Sequence, residues 1–515
     1  MTQAAASQET IMQDWLGKRA LITPHRLALV CGRKRLCFSE LDRLAVGASR
    51  GFQNLGVLAG QRVAVLSGNS LEFVLAVHAL PKLGGILVPL NVRLSEPELA
   101  WQLADVGASL LLYDEANEER AWRLAKELPQ VRAVPLKELA SPKEATSPDE
   151  GATIRLSGVH SILYTSGTTG TPKGAMLTFG NHFFNAMGSL LNLGVMEEDC
   201  WLANLPLYHV GGLSILLRCA IYGIPAIVHA GFDPEATNRS IEEEGVTMLS
   251  VVAVMLRRIL DKRGGRAFPS NLRCILAGGG PVPTSILEDA QRLGAPVIQT
   301  YGLTEAASQV TTLSNEDVLK RQGSAGKPLF FTEVSIQDAS GRILDAGQEG
   351  EILVRGPVVM AGYFEKPKET AEALRGGWLH TGDIGFCDPE GYLYVLDRRC
   401  DLILSGGENV YPAEVEAALL AHPSVLEAGV VGVPDTRWGQ AVAASVVIRD
   451  GAPVDEAEIK AFLKERLATY KLPARVRFVE TLPRNASGKL LRHKLREGMP
   501  GPCQARMSAS DLTTR

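Results

Sequence analysis

The sequence lacks the features that mark several special classes of protein. Its eight cysteines are scattered and include no Cys-x-x-Cys pair, so neither a common zinc site nor a disulfide framework is indicated. Its formal net charge is only −4, from 53 basic and 57 acidic residues, which gives no strong field for nucleic acid or an acidic membrane. We therefore expect reduced thiols, small-molecule ligands and no nucleic-acid partner.

A long uninterrupted hydrophobic run is also missing. The most apolar stretch, residues 213–230, contains Arg218 and is broken by Gly223 and Pro225. A charge and two helix breakers are unfavourable inside a bilayer, so this stretch predicts a buried helix followed by a strand, and no membrane span. The first residues lack a basic region followed by an apolar run, and we expect no secretory signal and a cytoplasmic location.

Alternating strand-like and helix-like segments are present over residues 27–115 and again over 160–301. This alternation is typical of α/β sheets with helices on their faces. Residues 326–395 change to short β runs with Gly and Pro turns. The fold class predicted is therefore α/β, with a large N-terminal domain of two α/β subdomains plus a small β-barrel-like subdomain, followed by a small α+β C-terminal domain. The expected strands include Arg62–Leu66, Ile86–Pro89, Ser109–Tyr113, Leu202–Leu205, Ala226–His229, Met248–Val251, Cys274–Ala277 and Val297–Gln299, with helices at Leu71–Leu83 and Glu96–Asp105.

The strongest local signal is a Gly-, Thr- and Ser-rich segment directly after a predicted strand at Ser161–Tyr164. Glycines let backbone N–H groups turn towards a phosphate, hydroxyls add neutral donors, and a lysine adds charge. The pattern differs from the common P-loop, which needs Gly-Lys followed by Ser or Thr. We therefore predict an ATP-binding segment whose contributing residues are Thr165, Ser166, Gly167, Thr168, Thr169, Gly170 and Lys173.

The segment from Thr165 to Gly174 resembles the phosphate-binding loop of the adenylate-forming superfamily, which includes the acyl-CoA synthetases. Further motifs follow in the order found in that superfamily, over roughly residues 15–496. The resemblance implies an AMP-forming acid–thiol ligase that uses ATP, Mg²⁺ and coenzyme A. It also implies domains at residues 1–397 and 403–496, the second of them mobile about a hinge at 398–402. Residues 497–515 lack periodicity, and we expect them to form a flexible tail.

The segment Gln299–Glu305 ends a predicted strand with a hydroxyl and a carboxylate, which is a plausible ligand site at a sheet edge. By the resemblance, Tyr301 stacks on adenine, Thr304 contacts the α-phosphate, and Glu305 binds Mg²⁺, for which carboxylate oxygen is a preferred ligand. A plain helix start would explain Thr304 and Glu305 alone. The resemblance also assigns the adenine pocket and the ribose contacts to Gly278, Gly279, Gly280, Asp383 and Arg398.

Residues from the last quarter of the chain complete the catalytic machinery that the resemblance implies. Lys489 matches the catalytic lysine, whose charge would offset the charge developing at the α-phosphate. Cys400 falls at the hinge position, where relatives often carry Asp or Lys. The turn Gly406, Gly407 and Glu408 resembles the loop that approaches the pantetheine channel of coenzyme A. His209 matches a residue that lines the acyl pocket and gates access of coenzyme A.

The identity of the acid depends on Arg218. If a helix begins at Gly211, then Gly211, Ser214, Ile215 and Arg218 share one face. A buried arginine is costly unless it is paired. A substrate with a second carboxylate supplies that partner. The resemblance implies in addition that this dicarboxylate carries an aromatic ring, with Ser308 and Gln309 as further polar contacts. An internal salt bridge to an Asp or Glu is the alternative for Arg218.

Three other functions stay open from the sequence. The chain is alternatively a synthetase for another acyl or aryl acid, a non-catalytic adenylate-binding protein, or a domain that loads a separate carrier protein. Retention of Glu305, Lys489 and the whole phosphate segment favours an active enzyme. The sequence leaves open whether the protein is a homo-oligomer.

Overall fold

The computed structural model describes residues 9–140, 152–166, 171–280, 282, 284–314, 317–318, 320–321, 323–338, 340–397, 403–410, 412–449, 454–483 and 492–499. The chain forms two compact units. The first falls within residues 1–92, 100–165 and 173–397, and the second within 93–99, 166–172 and 398–515. Among the described residues, none of the helices combines the length and the apolar character that crossing a bilayer requires.

The first large sheet has seven strands and a parallel centre. Its strand Arg62–Leu66 pairs in parallel with Ile86–Pro89 on one side and with Leu110–Tyr113 on the other. Val63 to Leu66 are fully buried, as is expected for a strand covered on both faces. The strands follow in the order Gly362–Tyr363, Pro172–Thr178, Val159–Ser166, Ile86–Pro89, Arg62–Leu66, Leu110–Tyr113 and Arg132–Pro135.

One helix beside this sheet is shorter than the sequence predicts. The helix begins at Leu71, after Ser70 accepts a hydrogen bond from the Phe73 N–H, and it ends at Ala79 instead of continuing to Leu83. Pro81 has no N–H with which to continue the helical hydrogen bonds, and the chain tightens into a 3₁₀ turn over Pro81–Leu83. Among the described residues up to 397, the other helices are Trp15–Ile22, Phe38–Asn54, Glu96–Asp105, Glu118–Glu127, Phe179–Leu193, Val210–Tyr222, Pro234–Glu243, Ala253–Arg263, Thr284–Arg292 and Pro367–Ala373.

The second large sheet has nine strands, and its central strands are parallel. Strand Val297–Leu303 runs parallel to Cys274–Ala277 but antiparallel to Ser308–Thr312, which explains why it extends four residues beyond its predicted end at Gln299. The carboxyl ends of the parallel strands meet at one edge, where ligands bind in open α/β sheets. The strand order is Lys327–Pro328, Ser308–Thr312, Val297–Leu303, Cys274–Ala277, Met248–Val251, Trp201–Ala203, Ala226–Val228, Leu27–Cys31 and Lys34–Cys37.

A five-stranded antiparallel sheet completes the first unit and confirms the predicted β-barrel-like subdomain. Its strands are Glu333–Gln337, Gly350–Arg355, Leu374–Arg375, Trp378–Cys387 and Leu393–Asp397. A short pair, Ile11–Gln13 with Thr153–Arg155, lies apart from it. The observed architecture thus matches the α/β class expected from the sequence.

The described residues from 403 onwards form another mixed sheet and three helices. Glu456–Lys464 begins after Asp455, whose carboxylate accepts a hydrogen bond from the Glu458 N–H. Strand Arg475–Phe478 pairs in parallel with Gly439–Ile448, and the other pairs are antiparallel. The remaining elements are the strands Ile403–Ser405, Glu408–Val410 and Val425–Asp435 and the helices Pro412–Leu420 and Arg492–Glu497.

Three histidines are buried in the first unit. The rings of His160 and His182 lie 4.9 Å apart, and the His182 Nε2 lies 3.2 Å from the Ser161 Oγ. Burial lowers the pKa of His78 to about 3 and of His160 to about 4 from the usual 6.5, and it also holds the pKa of His182 well below 6.5. All three imidazoles are therefore neutral in the folded protein near neutral pH.

Acidification is expected to destabilise the fold through these histidines. Because each folded pKa lies below the unfolded value, stability is complete above pH 6.5 and falls as the pH drops towards 4. The expected loss is about 1.4 kcal/mol of unfolding free energy per pH unit for each histidine. Urea unfolding between pH 7 and pH 5 measures this slope. His160→Gln should lower this slope by about one proton; a slope equal to that of the unsubstituted protein would contradict the assignment.

Candidate active site

Glu305 lies at the carboxyl edge of the second large sheet, in the turn between strands Val297–Leu303 and Ser308–Thr312. Only 4% of its surface is exposed. Its Oε1 accepts a hydrogen bond from the Thr165 hydroxyl at 3.3 Å and another from the Tyr363 hydroxyl at 2.9 Å. Two predicted site residues from distant parts of the sequence are thus brought together, with the carboxylate fixed beside the start of the phosphate segment.

The backbone of this turn is strained, and its hairpin is closely packed. Ala307 and Ser308 have φ values of 54° and 112°, a region that residues other than glycine rarely occupy. A Cβ at Gly302 would lie 1.8 Å from the Ser308 carbonyl oxygen, so only glycine fits at that position. The predicted Tyr-Gly-Leu-Thr-Glu segment therefore has a steric reason for its glycine, which lets the two strands approach and present Glu305.

Tyr301 and Asp383, both predicted to contact the nucleotide, are hydrogen-bonded to each other. The Tyr301 hydroxyl donates to the Asp383 Oδ2 at 2.6 Å. The Thr381 Oγ1 accepts from the Asp383 N–H at 3.0 Å and donates to the Ile352 carbonyl, which fixes the aspartate in the barrel-like sheet. The aromatic ring and the acidic group assigned to adenosine thus occupy one neighbourhood.

The glycines that follow strand Cys274–Ala277 lie at the same edge. A Cβ at Gly278 would approach the Thr300 Cγ2 to 3.0 Å, and Gly279 has φ 81° with little space towards Val252. Side chains would crowd this surface at Gly278 and Gly279. The role of Gly278, Gly279 and Gly280 in lining the adenine pocket stays a prediction.

The described part of the phosphate segment includes Thr165 and Lys173. The Lys173 ammonium lies 5.3 Å from the centroid of the Tyr363 ring, within range of a cation–π contact. Tyr363 therefore contacts both Lys173 and Glu305. Ser166 ends its strand. Gly167, Thr168, Thr169 and Gly170 lie outside the described residues, as do Arg398, Cys400 and Lys489.

Arg218 is placed as predicted, on the helix Val210–Tyr222, with 2% of its surface exposed. Its Nη2 donates to the Asn185 Oδ1 at 2.7 Å, and its guanidinium lies 5.6 Å from the centroid of the Trp201 ring. Its Nε is buried without a hydrogen-bond partner in the described structure. Burial lowers the pKa of this guanidinium from its usual range. Within the described residues no Asp or Glu pairs with Arg218, so the predicted alternative of an internal salt bridge is not found there.

The remaining predicted substrate contacts flank this region. Gln309 is buried, its Nε2 donates to the Thr312 Oγ1 at 3.1 Å, and its Oε1 has no hydrogen-bond partner in the described structure. Ser308 precedes it in the strained turn. His209 directly precedes the helix of Arg218, and its ring packs edge-on against Tyr208 with centroids 4.8 Å apart.

The predicted coenzyme A contacts belong to the second unit. Gly406 and Gly407 have φ values of 60° and 86° and form the turn between strands Ile403–Ser405 and Glu408–Val410. Glu408 begins the second strand and is buried. Their role in binding coenzyme A stays a prediction.

Comparison with known proteins identifies the family. The family described as "AMP-binding enzyme" matches residues 16–364, and the "AMP-binding enzyme C-terminal domain" matches residues 414–489. The chain belongs to the AMP-binding enzymes. The superfamily resemblance drawn from the sequence motifs, and with it the expectation of an AMP-forming acid–thiol ligase, is confirmed.

Two similar proteins from different organisms carry the same name. The chain is 50% identical over 493 residues to a 2-succinylbenzoate–CoA ligase of Geobacillus kaustophilus, covering 95% of this chain and 99% of the relative. It is 46% identical over 486 residues to a ligase of the same name from Bacillus cereus, covering 94% and 98%. Both alignments span nearly the full length of each protein.

Solved structures of an enzyme of this type are also similar to this chain. A double mutant of the o-succinylbenzoate CoA synthetase of Bacillus subtilis, bound to its product analogue OSB-NCoA, matches with a TM-score of 0.88 and 43% identity, covering 95% of this chain and 99% of that one. The same enzyme in complex with the acyl-adenylate intermediate OSB-AMP matches with a TM-score of 0.73 and 44% identity, covering 95% and 98%. Its complex with ATP and a magnesium ion also matches, with a TM-score of 0.73, 43% identity and coverage of 94% and 100%. The motifs His209–Ser214, Gly278–Pro281, Thr304–Gln309 and Val395–Arg399 predict the same type of enzyme, o-succinylbenzoate–CoA ligase of menaquinone biosynthesis.

The described residues fit the magnesium ion that AMP-binding enzymes use. Mg²⁺ is commonly held by one or two carboxylates together with substrate phosphates, so a cluster of protein ligands is not required. Glu305 provides a buried carboxylate, and the hydroxyl of Thr165 positions it next to the segment predicted to bind phosphates. This donor set is hard oxygen, as Mg²⁺ prefers.

Sequence reasoning misses two residues that hold this site together. Tyr363 bonds to Glu305, and Asn185 bonds to Arg218. Nothing near Tyr363 in the sequence indicates its partner, because the pair is 58 residues apart. For Asn185 there is a weak signal, since Asn181 and Asn185 lie one turn apart on the buried face of the helix Phe179–Leu193, where apolar side chains are expected.

Proposed function

We propose that this protein joins o-succinylbenzoate to coenzyme A through an acyl-adenylate at the expense of ATP, in menaquinone biosynthesis. The observation that carries the choice of acid is Arg218, a fully buried guanidinium that no Asp or Glu neutralises in the described structure. The near full-length similarity to 2-succinylbenzoate–CoA ligases supports the same choice. The small-molecule partners are the acid, ATP and coenzyme A, and we place the reaction in the cytoplasm.

The reaction consists of two displacements. In the first, a carboxylate oxygen of the acid attacks the α-phosphorus of ATP, the bond from that phosphorus to pyrophosphate breaks, and an acyl-adenylate forms. Thr165, Lys173 and Thr304 orient the phosphates, and Lys489 offsets the charge developing there. Mg²⁺, held by Glu305, would neutralise phosphate charge when bound. The Tyr363 hydroxyl fixes the Glu305 carboxylate for that purpose.

In the second displacement, the sulfur of coenzyme A attacks the acyl carbonyl, the mixed anhydride bond breaks, and AMP departs. Asp383 and Arg398 hold the ribose, while Gly278, Gly279, Gly280 and Tyr301 hold the base. The turn Gly406, Gly407 and Glu408 receives the pantetheine arm, and His209 gates its entry. We assign the change between the two steps to movement of residues 403–496 about a hinge at 398–402, with Cys400 within the hinge.

The buried guanidinium selects for a second carboxylate because it has an unsatisfied donor. Its Nε lacks a partner, and a buried donor left unpaired costs free energy. A carboxylate accepts from Nε and a terminal nitrogen in two parallel hydrogen bonds. An acid with an uncharged tail would leave this donor unsatisfied, which disfavours the alternative of a synthetase for another acyl or aryl acid.

Arg218→Leu is expected to raise the KM for o-succinylbenzoate about 100-fold, because a charge-assisted bidentate contact is lost. The KM for ATP should change less than about threefold. Steady-state AMP production measures both values, and the exposed Arg239→Leu is the control for an arginine removed from a helix surface. An unchanged KM for o-succinylbenzoate in Arg218→Leu would refute the assignment.

A panel of carboxylic acids with ATP, Mg²⁺ and coenzyme A separates the other functions. We expect o-succinylbenzoate to give the highest AMP production. AMP production fastest with a monocarboxylic acid would favour the alternative synthetase. Pyrophosphate release from no acid would favour a non-catalytic adenylate-binding protein. Adenylation without thioester formation would favour a domain that loads a carrier protein.

A further inference from the structure

Asn185 joins the buried arginine to the turn that carries Glu305. Its Oδ1 accepts from the Arg218 Nη2 at 2.7 Å, while its Nδ2 donates to the Ala306 carbonyl at 3.1 Å and to the Gln309 carbonyl at 2.8 Å. The carboxamide is buried, and all three contacts are to different residues. One side chain therefore links two segments that the proposed function assigns to different ligands.

The orientation of this carboxamide is determined by its partners. Both carbonyl oxygens only accept hydrogen bonds, so the NH₂ group must face them. The Oδ1 then faces the guanidinium, which only donates. Among side chains of this size and shape, only asparagine offers an acceptor on one side and two donors on the other. An aspartate would place an oxygen against the carbonyls and would add a charge.

Because Asn185 is neutral, it does not offset the charge of Arg218, which stays available to a ligand. An aspartate or glutamate at this distance would satisfy the guanidinium with an internal ion pair. The nearby His182 does not add to or offset the charge, because burial, His160 and Arg218 hold its pKa well below 6.5. The guanidinium is therefore oriented by a hydrogen bond while its charge is left for a ligand.

The two hydrogen bonds that Asn185 donates support the strained backbone of the turn after Glu305. Ala306 and Gln309 flank the two left-handed residues Ala307 and Ser308. Such conformations persist only when the surroundings hold them, and the two hydrogen bonds from Asn185 span this pair. The position of Arg218 is thereby fixed relative to the turn that presents Glu305.

We propose that Asn185 is a positioning residue for substrate selection: it orients Arg218 without neutralising it, and it fixes the distance from the second-carboxylate site to the adenylation site. This rests on the proposed function, in which Arg218 binds the carboxylate that is not activated. Asn185 itself is not proposed to touch the reacting atoms.

The test compares Asn185→Asp with Asn181→Asp in the full-length enzyme. Asn181 lies one turn earlier on the same helix, and its Nδ2 also donates to two carbonyls, those of Pro357 and Val359, but it does not contact Arg218. Both variants replace an amide that faces two carbonyls by a carboxylate. Only at position 185 does the new charge face the guanidinium, so the pair separates a charge effect from loss of structure.

Two monocarboxylic analogues serve as probes beside o-succinylbenzoate. 4-Oxo-4-phenylbutanoate lacks the ring carboxylate, and 2-butanoylbenzoate lacks the side-chain carboxylate. The analogue that wild-type enzyme adenylates faster is the reference acid. For Asn185→Asp we expect the KM for o-succinylbenzoate to rise at least about 30-fold. The KM for ATP and the KM for the reference acid should change less than about threefold, whereas kcat should fall for both acids because the turn that presents Glu305 loses the two hydrogen bonds from Asn185. Asn181→Asp should affect both acids equally.

The possible outcomes distinguish this inference from the proposed function. If Arg218→Leu raises the KM for o-succinylbenzoate but Asn185→Asp changes the KM for both acids equally, the positioning role is overturned and the proposed function stands. If neither variant raises the KM for o-succinylbenzoate more than the KM for the reference acid, the proposed function fails as well. If Asn185→Asp does not fold, the same KM values are measured for Asn185→Ser, whose smaller neutral side chain leaves space for water. A selective rise in the KM for o-succinylbenzoate again supports the role, and an unselective loss overturns it.

Discussion

Replacing Glu305 by Ala is expected to lower the rate of adenylation about 100-fold, the size of effect seen when one preorganised electrostatic contact is removed. The carboxylate is buried and receives hydrogen bonds from the hydroxyls of Thr165 and Tyr363. Its loss removes the proposed Mg²⁺ ligand and leaves both hydroxyls without their acceptor. ATP–pyrophosphate exchange with o-succinylbenzoate at increasing Mg²⁺ concentration measures the defect.

Glu305→Gln separates the effect of the carboxylate charge from the effect of the hydrogen bonds that the side chain accepts. The amide retains an acceptor for the two hydroxyls but provides a neutral and weaker ligand to the ion, so a smaller defect that high Mg²⁺ partly restores is expected. Glu372→Ala, at an exposed position of the helix Pro367–Ala373, is the matched control. Full exchange activity in Glu305→Ala at low Mg²⁺ would remove Glu305 from the metal site.

Replacing Lys489 by Ala is expected to reduce adenylation about 1000-fold, because the proposed mechanism places this cation where negative charge develops on the α-phosphate. Thioester formation from added acyl-adenylate and coenzyme A should change only a few-fold, since that step needs no such cation. The two half-reactions are measured separately, by pyrophosphate exchange and by single-turnover release of AMP.

Lys494→Ala is the control for Lys489→Ala, because Lys494 is an exposed lysine in the helix Arg492–Glu497 of the same unit. Equal loss of both half-reactions in Lys489→Ala would indicate a general defect of the protein. Equal activities of the two lysine variants would contradict the catalytic role of Lys489.

Much of the fold can be predicted from the sequence because it depends on local patterns. Strands such as Arg62–Leu66 and Met248–Val251 are found at their predicted bounds, since short apolar β-branched runs next to turn residues favour buried parallel strands. The helix that carries Arg218 is also found, and with it the burial of that residue. The predicted helix Leu71–Leu83 is wrong at its end for a local reason, because Pro81 stops the helix and begins a 3₁₀ turn.

The contacts within the site are not local and could not be predicted in the same way. Strand Val297–Leu303 extends past Gln299 because Ser308–Thr312 folds back on it, and this depends on a turn with two left-handed residues that are not glycine. The bonds from Asn185 to Arg218, Ala306 and Gln309 depend on the packing of two helices and that hairpin. No single-sequence pattern specifies such a register.

The close approach of Gly302 to the Ser308 carbonyl has a genetic consequence. All amino acids that a single base change can substitute for glycine carry a Cβ, and at this position the atom would lie 1.8 Å from that oxygen. Because the obstacle is backbone, a change of rotamer cannot relieve it. Every missense allele of this one codon should therefore be defective, and a saturation screen should recover only synonymous changes there.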